Sequence, residues 1–230
     1  MSPRVAASST RSRSVPPVIR DALFFCQTSF HHLSTVGTFI PGGPALAEVF
    51  TGMLDCLDAS DGRRILEIGP GTGPITRAIE ASMRPEDSLT CVEIIPDFAR
   101  WLEQWRVALP RERRHRVRVV EGDFLQAACP GPYDMIICGV PLGLVPAPVV
   151  EGFFERFAHL SHDHAIVSTY EYLGSRNVRR QIPGIRKKLL ATEEVIRKHR
   201  ARAELGKQWV VRHLPPMLVS HYSARALKRH

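Results

Sequence analysis

Arg64-Ile-Leu-Glu-Ile-Gly-Pro-Gly-Thr-Gly-Pro-Ile-Thr-Arg77 runs from an apolar strand, through three alternate glycines, into the start of a helix. Ile65, Leu66 and Ile68 supply the buried strand, and Gly69, Gly71 and Gly73 lack the Cβ that would obstruct a sharp turn or a close ligand. The helix that follows presents unpaired N–H groups at its first turn. Spacing narrows the choice of ligand. A dinucleotide-binding turn has glycine three residues after the second glycine of its G-x-G, and here that position is Pro74.

Glu67, two residues ahead of the first glycine, completes an acidic-then-glycine pattern that resembles motif I of the class I S-adenosylmethionine (SAM)-dependent methyltransferases. The resemblance implies that Glu67, Gly69, Pro70, Gly71, Thr72 and Gly73 wrap the methionine half of SAM, whose reaction product is S-adenosylhomocysteine.

Outward from this turn the chain alternates strand and helix, which predicts a Rossmann-like α/β fold: a seven-stranded, mostly parallel sheet with helices on both faces and its last strand antiparallel. Strands are expected at 64–68, 88–94, 117–122, 133–138 and 165–170, then at 208–213 and 217–222. Asp97 reads as the N-cap of a helix with Phe98, Trp101, Leu102 and Trp105 on its buried side. In such sheets ligands bind beyond the carboxyl ends of the strands. Glu93 ends the second strand, where a carboxylate can accept both ribose hydroxyls, and Ile94 can pack on the adenine face. Asp123 and Phe124 follow the third strand, suited to the adenine amine and ring. Gly139 follows the fourth, beside the place of the transferred methyl.

The chain has 230 residues, 44% of them apolar, enough for one domain with a substantial core. It has no apolar run long enough to span a bilayer and no leader pattern at its start. Five cysteines occur without a C-x-x-C pair, so a reduced cytoplasmic protein is expected, with no metal site. Net charge is +8 and it is concentrated: ten Lys/Arg lie between Arg176 and Arg202 against only Glu193 and Glu194. A basic cluster of this kind suits a polyanionic surface, either nucleic acid or an anionic membrane.

The predicted organisation is a disordered basic arm over 1–16, N-terminal helices over 17–58 that cover the active site, and a methyltransferase core over 59–230 with a basic helical insertion at 176–206. An apolar stripe of Ile19, Leu23, Phe30 and Leu33, beside Phe24 and Phe25, suits either the core or a headgroup boundary. The basic helix is expected over 185–205, stopped by Gly206, with Ile185, Leu189 and Ile196 on its apolar face.

The fourth-strand motif separates substrates. Enzymes that methylate the exocyclic amine of adenine carry Asn/Asp-Pro-Pro-Tyr/Phe there, to hold the amine and stack on the flipped base. Cys138-Gly-Val-Pro-Leu142 has neither amide nor ring, which argues against nucleic acid, although motif I resembles that of the ribosomal RNA adenine dimethyltransferases. Over about residues 20–222 the chain resembles the soluble bacterial phospholipid N-methyltransferases. The carriers are Ser34-Thr-Val-Gly-Thr-Phe-Ile-Pro-Gly-Gly-Pro-Ala-Leu-Ala47, motif I, Val92-Glu-Ile-Ile-Pro-Asp-Phe98, Gly139-Val-Pro-Leu142 and Trp209-Val-Val-Arg-His-Leu-Pro-Pro216. Gly42-Gly43 stand where that family usually has Ser-Ser.

This resemblance implies methyl transfer to the amine headgroup of phosphatidylethanolamine or of a related aminolipid such as an ornithine lipid. It also implies a monomer attached peripherally to the inner face of the membrane. An adenine N6-methyltransferase acting on ribosomal RNA is the alternative. Candidates to bind the amine or take its proton are Tyr170, Glu171 and Tyr172 at the end of the fifth strand, and His31 on the N-terminal helix.

Overall fold

A computed structural model describes residues 43–57, 61–172, 186–212 and 216–229. The basic arm, the apolar stripe of residues 19–33, Ile185 and His31 lie outside the described residues.

The elements run in chain order as α1 (Pro44–Gly52), a 3-10 turn (Met53–Cys56), β1 (Arg64–Ile68), α2 (Pro74–Ser82), β2 (Ser88–Glu93), α3 (Pro96–Ala108), α4 (Arg111–Arg114) and β3 (Val117–Glu121). There follow β4 (Tyr133–Cys138), a second 3-10 turn (Leu142–Leu144), α5 (Ala147–Leu160), β5 (Ser161–Tyr172), α6 (Arg186–Ala203), β6 (Glu204–Val210), β7 (Met217–Ser223) and α7 (Ala224–Leu227). They build one seven-stranded sheet in the order β3-β2-β1-β4-β5-β7-β6. β1 to β5 are mutually parallel, and β7 is antiparallel to both β5 and β6. The last strand therefore runs against its neighbours, as the alternation predicts, and β6 again points the same way as β1–β5.

Both sheet faces are covered. Ile65, Leu89, Cys91, Met135 and Ile137 pack with Leu46 and Phe50 of α1 and Ile75 and Ile79 of α2. Leu66, Ile68, Val92, Ile136, Cys138 and Val167 face the other way, onto α5, α6 and α7. Double burial explains why β1 and β4 are rich in apolar residues on both faces, with Glu67 as a buried exception in β1. α5 presents Val149, Val150, Phe153, Phe154, Phe157 and Leu160, an i, i+3, i+4, i+7 stripe, to that second face. Burying each of its phenylalanines contributes roughly 1.5–3 kcal/mol.

A buried ion pair fixes where β1 and β2 begin. Asp87 accepts hydrogen bonds from the backbone N–H of Arg63 (2.7 Å), its Nε (3.0 Å) and its Nη2 (2.5 Å), and from the backbone N–H of Arg84 (2.7 Å). Arg63 also donates from Nη1 to the Leu54 carbonyl (2.9 Å), tying the turn after α1 to the sheet. Both side chains are 1% exposed or less, so each charge depends on the other.

Several expectations need correcting. Asp97 is not the N-cap of α3; Ile95 caps it and Pro96, with φ preset by its ring, takes the first helical position. Asp97 falls in the first turn and pairs with Arg100. Trp101 is 41% exposed rather than buried, its ring covered by the Arg77 guanidinium 4.5 Å from the centroid. The basic helix stops at Ala203, and β6 starts at Glu204, four residues earlier than expected, so Gly206 is a strand residue. β5 extends beyond 165–170 at both ends. Leu189 and Ile196 of α6 are buried; Ile196 joins the core packed by α5.

Candidate functional site

A cleft opens at the carboxyl ends of β1–β4, lined by Gly69, Gly71, Glu93, Ile94, Asp123, Phe124 and Gly139 together with apolar side chains from the surrounding helices and loops. These seven are all residues that the strand ends predict. The turn after β1 needs its glycines: Gly69, Gly71 and Gly73 have φ of 66°, 58° and 75°. A Cβ on Gly69 would come within 2.8 Å of Val140 Cγ2, whereas one on Gly71 would meet nothing within 4 Å. Gly71 is thus held glycine by its backbone angle and leaves open space above it.

Glu93 organises the loop. Its Oε2 accepts the Gly71 N–H at 2.8 Å and its Oε1 accepts the Ile95 N–H at 2.9 Å. The side chain is 3% exposed; burial raises its pKa, and these backbone N–H groups oppose that shift. Each oxygen keeps a second lone pair for a ligand hydroxyl. Asp123 accepts the Leu125 N–H through Oδ1 at 3.0 Å and the Gln126 amide through Oδ2 at 3.3 Å, which fixes its carboxylate at the rim. Phe124 packs against Phe153 and Phe157 at centroid distances of 5.1 and 5.7 Å, so it forms a rigid wall.

Motif I residues divide into two groups. Gly69 and Gly71 face the cleft; Glu67, Pro70, Thr72 and Gly73 do not line it. Glu67 lies under the turn, 1% exposed, with Cys91 Sγ 3.7 Å from its Oε2. Burial pushes its pKa up to about 7. The Pro70 carbonyl closes the turn by accepting the Gly73 N–H at 2.9 Å.

Gly139 packs the end of β4 tightly against the end of β1. Its N–H donates to the Ile68 carbonyl at 2.7 Å, and a Cβ there would come within 2.6 Å of the Gly69 carbonyl oxygen. The Tyr170 hydroxyl donates to the Gly139 carbonyl at 3.0 Å. Tyr172 lies alongside, its hydroxyl 3.5 Å from that of Tyr170 and the rings edge-on at 5.3 Å. Burial pushes the Tyr172 phenol up to about 12. Glu171 is not with them. Strand alternation turns it to the opposite face, where its Oε1 accepts from Arg200 of α6 at 3.3 Å.

The cleft walls also contain Phe98 and Ile95 from the start of α3, Val140, Pro141 and Val145 after β4, and Val149 and Phe153 of α5. Sequence reading assigns Phe98 to packing, includes Ile95, Val140 and Pro141 in its motifs without a lining role, and singles out none of Val145, Val149 and Phe153. The available signal for Phe98 is its place in the first helical turn after a strand-end carboxylate. Phe153 sits in an apolar stripe indistinguishable from core.

Two carboxylates on an apolar slot, beside a glycine turn with open space above Gly71, match the demands of an adenosine: acceptors for its hydroxyls and amine, and flat apolar walls for its ring. This fold and site define a class I SAM-dependent methyltransferase. Residues 47–170, more than half of the chain, match the family of the ribosomal RNA adenine dimethylases, and the chain belongs to that family.

An ornithine lipid N-methyltransferase of Singulisphaera acidiphila is 29% identical over 142 residues, which cover 59% of this chain and 70% of that protein. The fold matches an O-methyltransferase from Bacillus cereus, solved with S-adenosylhomocysteine, at a TM-score of 0.59 and 13% identity, over 86% of this chain and 90% of that one. The glycopeptide N-methyltransferase MtfA, solved with sinefungin, matches at 0.57 and 13%, over 76% and 83%. Among the described residues no group of His, Cys, Asp and Glu is arranged to hold a metal, and no helix is long and apolar enough to cross a membrane.

Proposed function

We propose that this enzyme methylates the primary amine headgroup of a membrane aminolipid, of the ornithine-lipid or phosphatidylethanolamine kind. The observation that carries the reading is the end of β4. Gly139-Val-Pro-Leu142 offers a backbone carbonyl and apolar side chains where an adenine-methylating site needs an amide and a stacking ring. The similarity to an ornithine lipid N-methyltransferase supports the same substrate class.

In this reading Glu93 holds the ribose hydroxyls, Asp123 the adenine amine, and Ile94, Phe98 and Phe124 the ring. The glycine turn leaves room for the methionine half. Bound SAM supplies an electrophilic methyl group. The chain's own task is to bring a neutral amine to the Gly139 edge and to keep water away. The Gly139 carbonyl can accept an amine N–H there, and Tyr170, which donates to that oxygen, fixes its direction. The Tyr170 and Tyr172 rings are buried and do not line the cleft, so in this reading they brace the Gly139 edge rather than touch the amine. Tyr172, pushed up to about 12, stays a neutral phenol at physiological pH and is not a base. Positioning of this kind can supply about 7–11 kcal/mol of the barrier.

The family match favours one rival, an RNA adenine N-methyltransferase. Methyl-labelled SAM incubated with the enzyme, total lipid and total RNA side by side separates the two. Label is expected in the lipid fraction, in a species that co-migrates with an N-methylated aminolipid. Label confined to RNA would overturn the reading.

A further inference from the structure

We propose that the cleft end of the sheet, where Trp209 and Val211 at the end of β6 and the first turns of α6 are all exposed, is the surface that docks on an anionic lipid bilayer. This rests on the lipid-substrate reading and adds to it how the chain reaches its substrate. Trp209 and Val211 are 59% and 72% exposed. Trp209 pairs with Leu218, which pairs with Glu171, so it lies two strands from the end of β5. β6 runs parallel to β1–β5, which places Trp209 and Val211 at the end of the sheet where the cleft opens.

α6 brings charge to the same end. Thr192 Oγ1 donates to the Val145 carbonyl at 2.9 Å, just beyond the end of β4, whereas Arg202 near its other terminus donates to the Leu227 carbonyl at 3.0 Å, beyond the end of β7. Its first turns, with exposed Arg186, Lys187, Lys188 and Leu190, therefore stand at the cleft end. Further along the helix Arg197 pairs with Glu194, and Arg200 with Glu171 and Glu204. An exposed indole and exposed aliphatic side chains at the same end of the sheet as a cluster of cations are the composition that partitions to a headgroup layer, the indole at the acyl boundary and the cations on anionic lipid.

The test compares the full chain with Trp209→Ser and with the double variant Lys187→Glu/Lys188→Glu. Each is sedimented with phosphatidylcholine vesicles containing about one-third phosphatidylglycerol. Turnover is measured on an aminolipid carried in those vesicles and on a short-chain aminolipid dissolved as monomers. Both variants should bind vesicles about tenfold more weakly and turn over the vesicle-borne lipid correspondingly more slowly, with short-chain turnover unchanged. Brominated lipid should quench wild-type tryptophan emission and leave Trp209→Phe unquenched. Wild-type sedimentation by Trp209→Ser would overturn the proposal. So would a dimer that this substitution dissociates without loss of vesicle binding, which would assign the edge to a second copy of the chain. If no aminolipid is methylated in either form, the substrate reading fails, and the sedimentation comparison still decides the docking surface.

Discussion

The Glu93 carboxylate accepts the Gly71 backbone N–H at 2.8 Å, linking the end of β2 to the middle of the glycine turn after β1. One side chain therefore both shapes the turn and faces the cleft, and its two duties can be separated by substitution.

Glu93→Ala should raise the dissociation constant for SAM about 10- to 100-fold, the range expected for losing hydrogen bonds to a charged acceptor. Calorimetric titration checks the affinity, and circular dichroism checks that the domain remains folded. Glu93→Gln keeps one acceptor and should fall between the two. An unchanged affinity in Glu93→Ala would mean that the ribose lies elsewhere.

Tyr170→Phe removes the hydroxyl that donates to the Gly139 carbonyl while leaving the ring. Turnover should fall by about tenfold, one hydrogen bond's worth of orientation, with SAM affinity unchanged. Glu171→Gln, on the opposite face of β5, should leave the pH profile of turnover unaltered, since it cannot reach the same edge.

Glu67 predicts a pH dependence of stability. Its pKa is raised by burial from 4.5 to about 7 in the folded chain, with the coulombic effect of Glu93 adding to the shift. Burial also raises the neighbouring Cys91 thiol. The unfolded state loses this proton first, so the contribution is fully present below pH 4.5 and declines as pH rises to about 7. Across that window Glu67→Gln should gain stability relative to wild type, by up to about 1.4 kcal/mol per pH unit. Urea unfolding at a series of pH values measures it; a difference independent of pH would contradict a protonated Glu67.

Much of this architecture is legible in the chain, and the failures have physical causes. β1 and β4 stand out because both of their faces are buried and a glycine turn ends each run. The start of β6 is hidden by a register shift between Glu204 and Gly206, which breaks strand alternation, while Gly206 mimics a helix stop. Asp97 looks like a cap, yet Pro96 already occupies the first helical position. The strand-end residues of the cleft could be found because topology places strand ends together. Val149 and Phe153 could not, because their apolar character is equally that of core and only the packing of α5 turns them toward a cavity.

Asp87→Ala should cost about 3–5 kcal/mol, since it leaves the buried Arg63 guanidinium without its counter-charge. Chemical denaturation reports the loss. A near-neutral effect would show that Arg63 finds another acceptor beyond the Leu54 carbonyl.

The central claim is that the Gly139–Tyr170 edge presents a lipid headgroup nitrogen to the methyl donor. Tandem mass spectrometry of ornithine lipid and phosphatidylethanolamine after turnover by the purified full chain tests it directly. The account predicts methyl groups on the headgroup nitrogen, formed by the wild type and strongly reduced in Tyr170→Phe. Unmodified lipids alongside N6-methylated adenine in ribosomal RNA from the same reaction would contradict it.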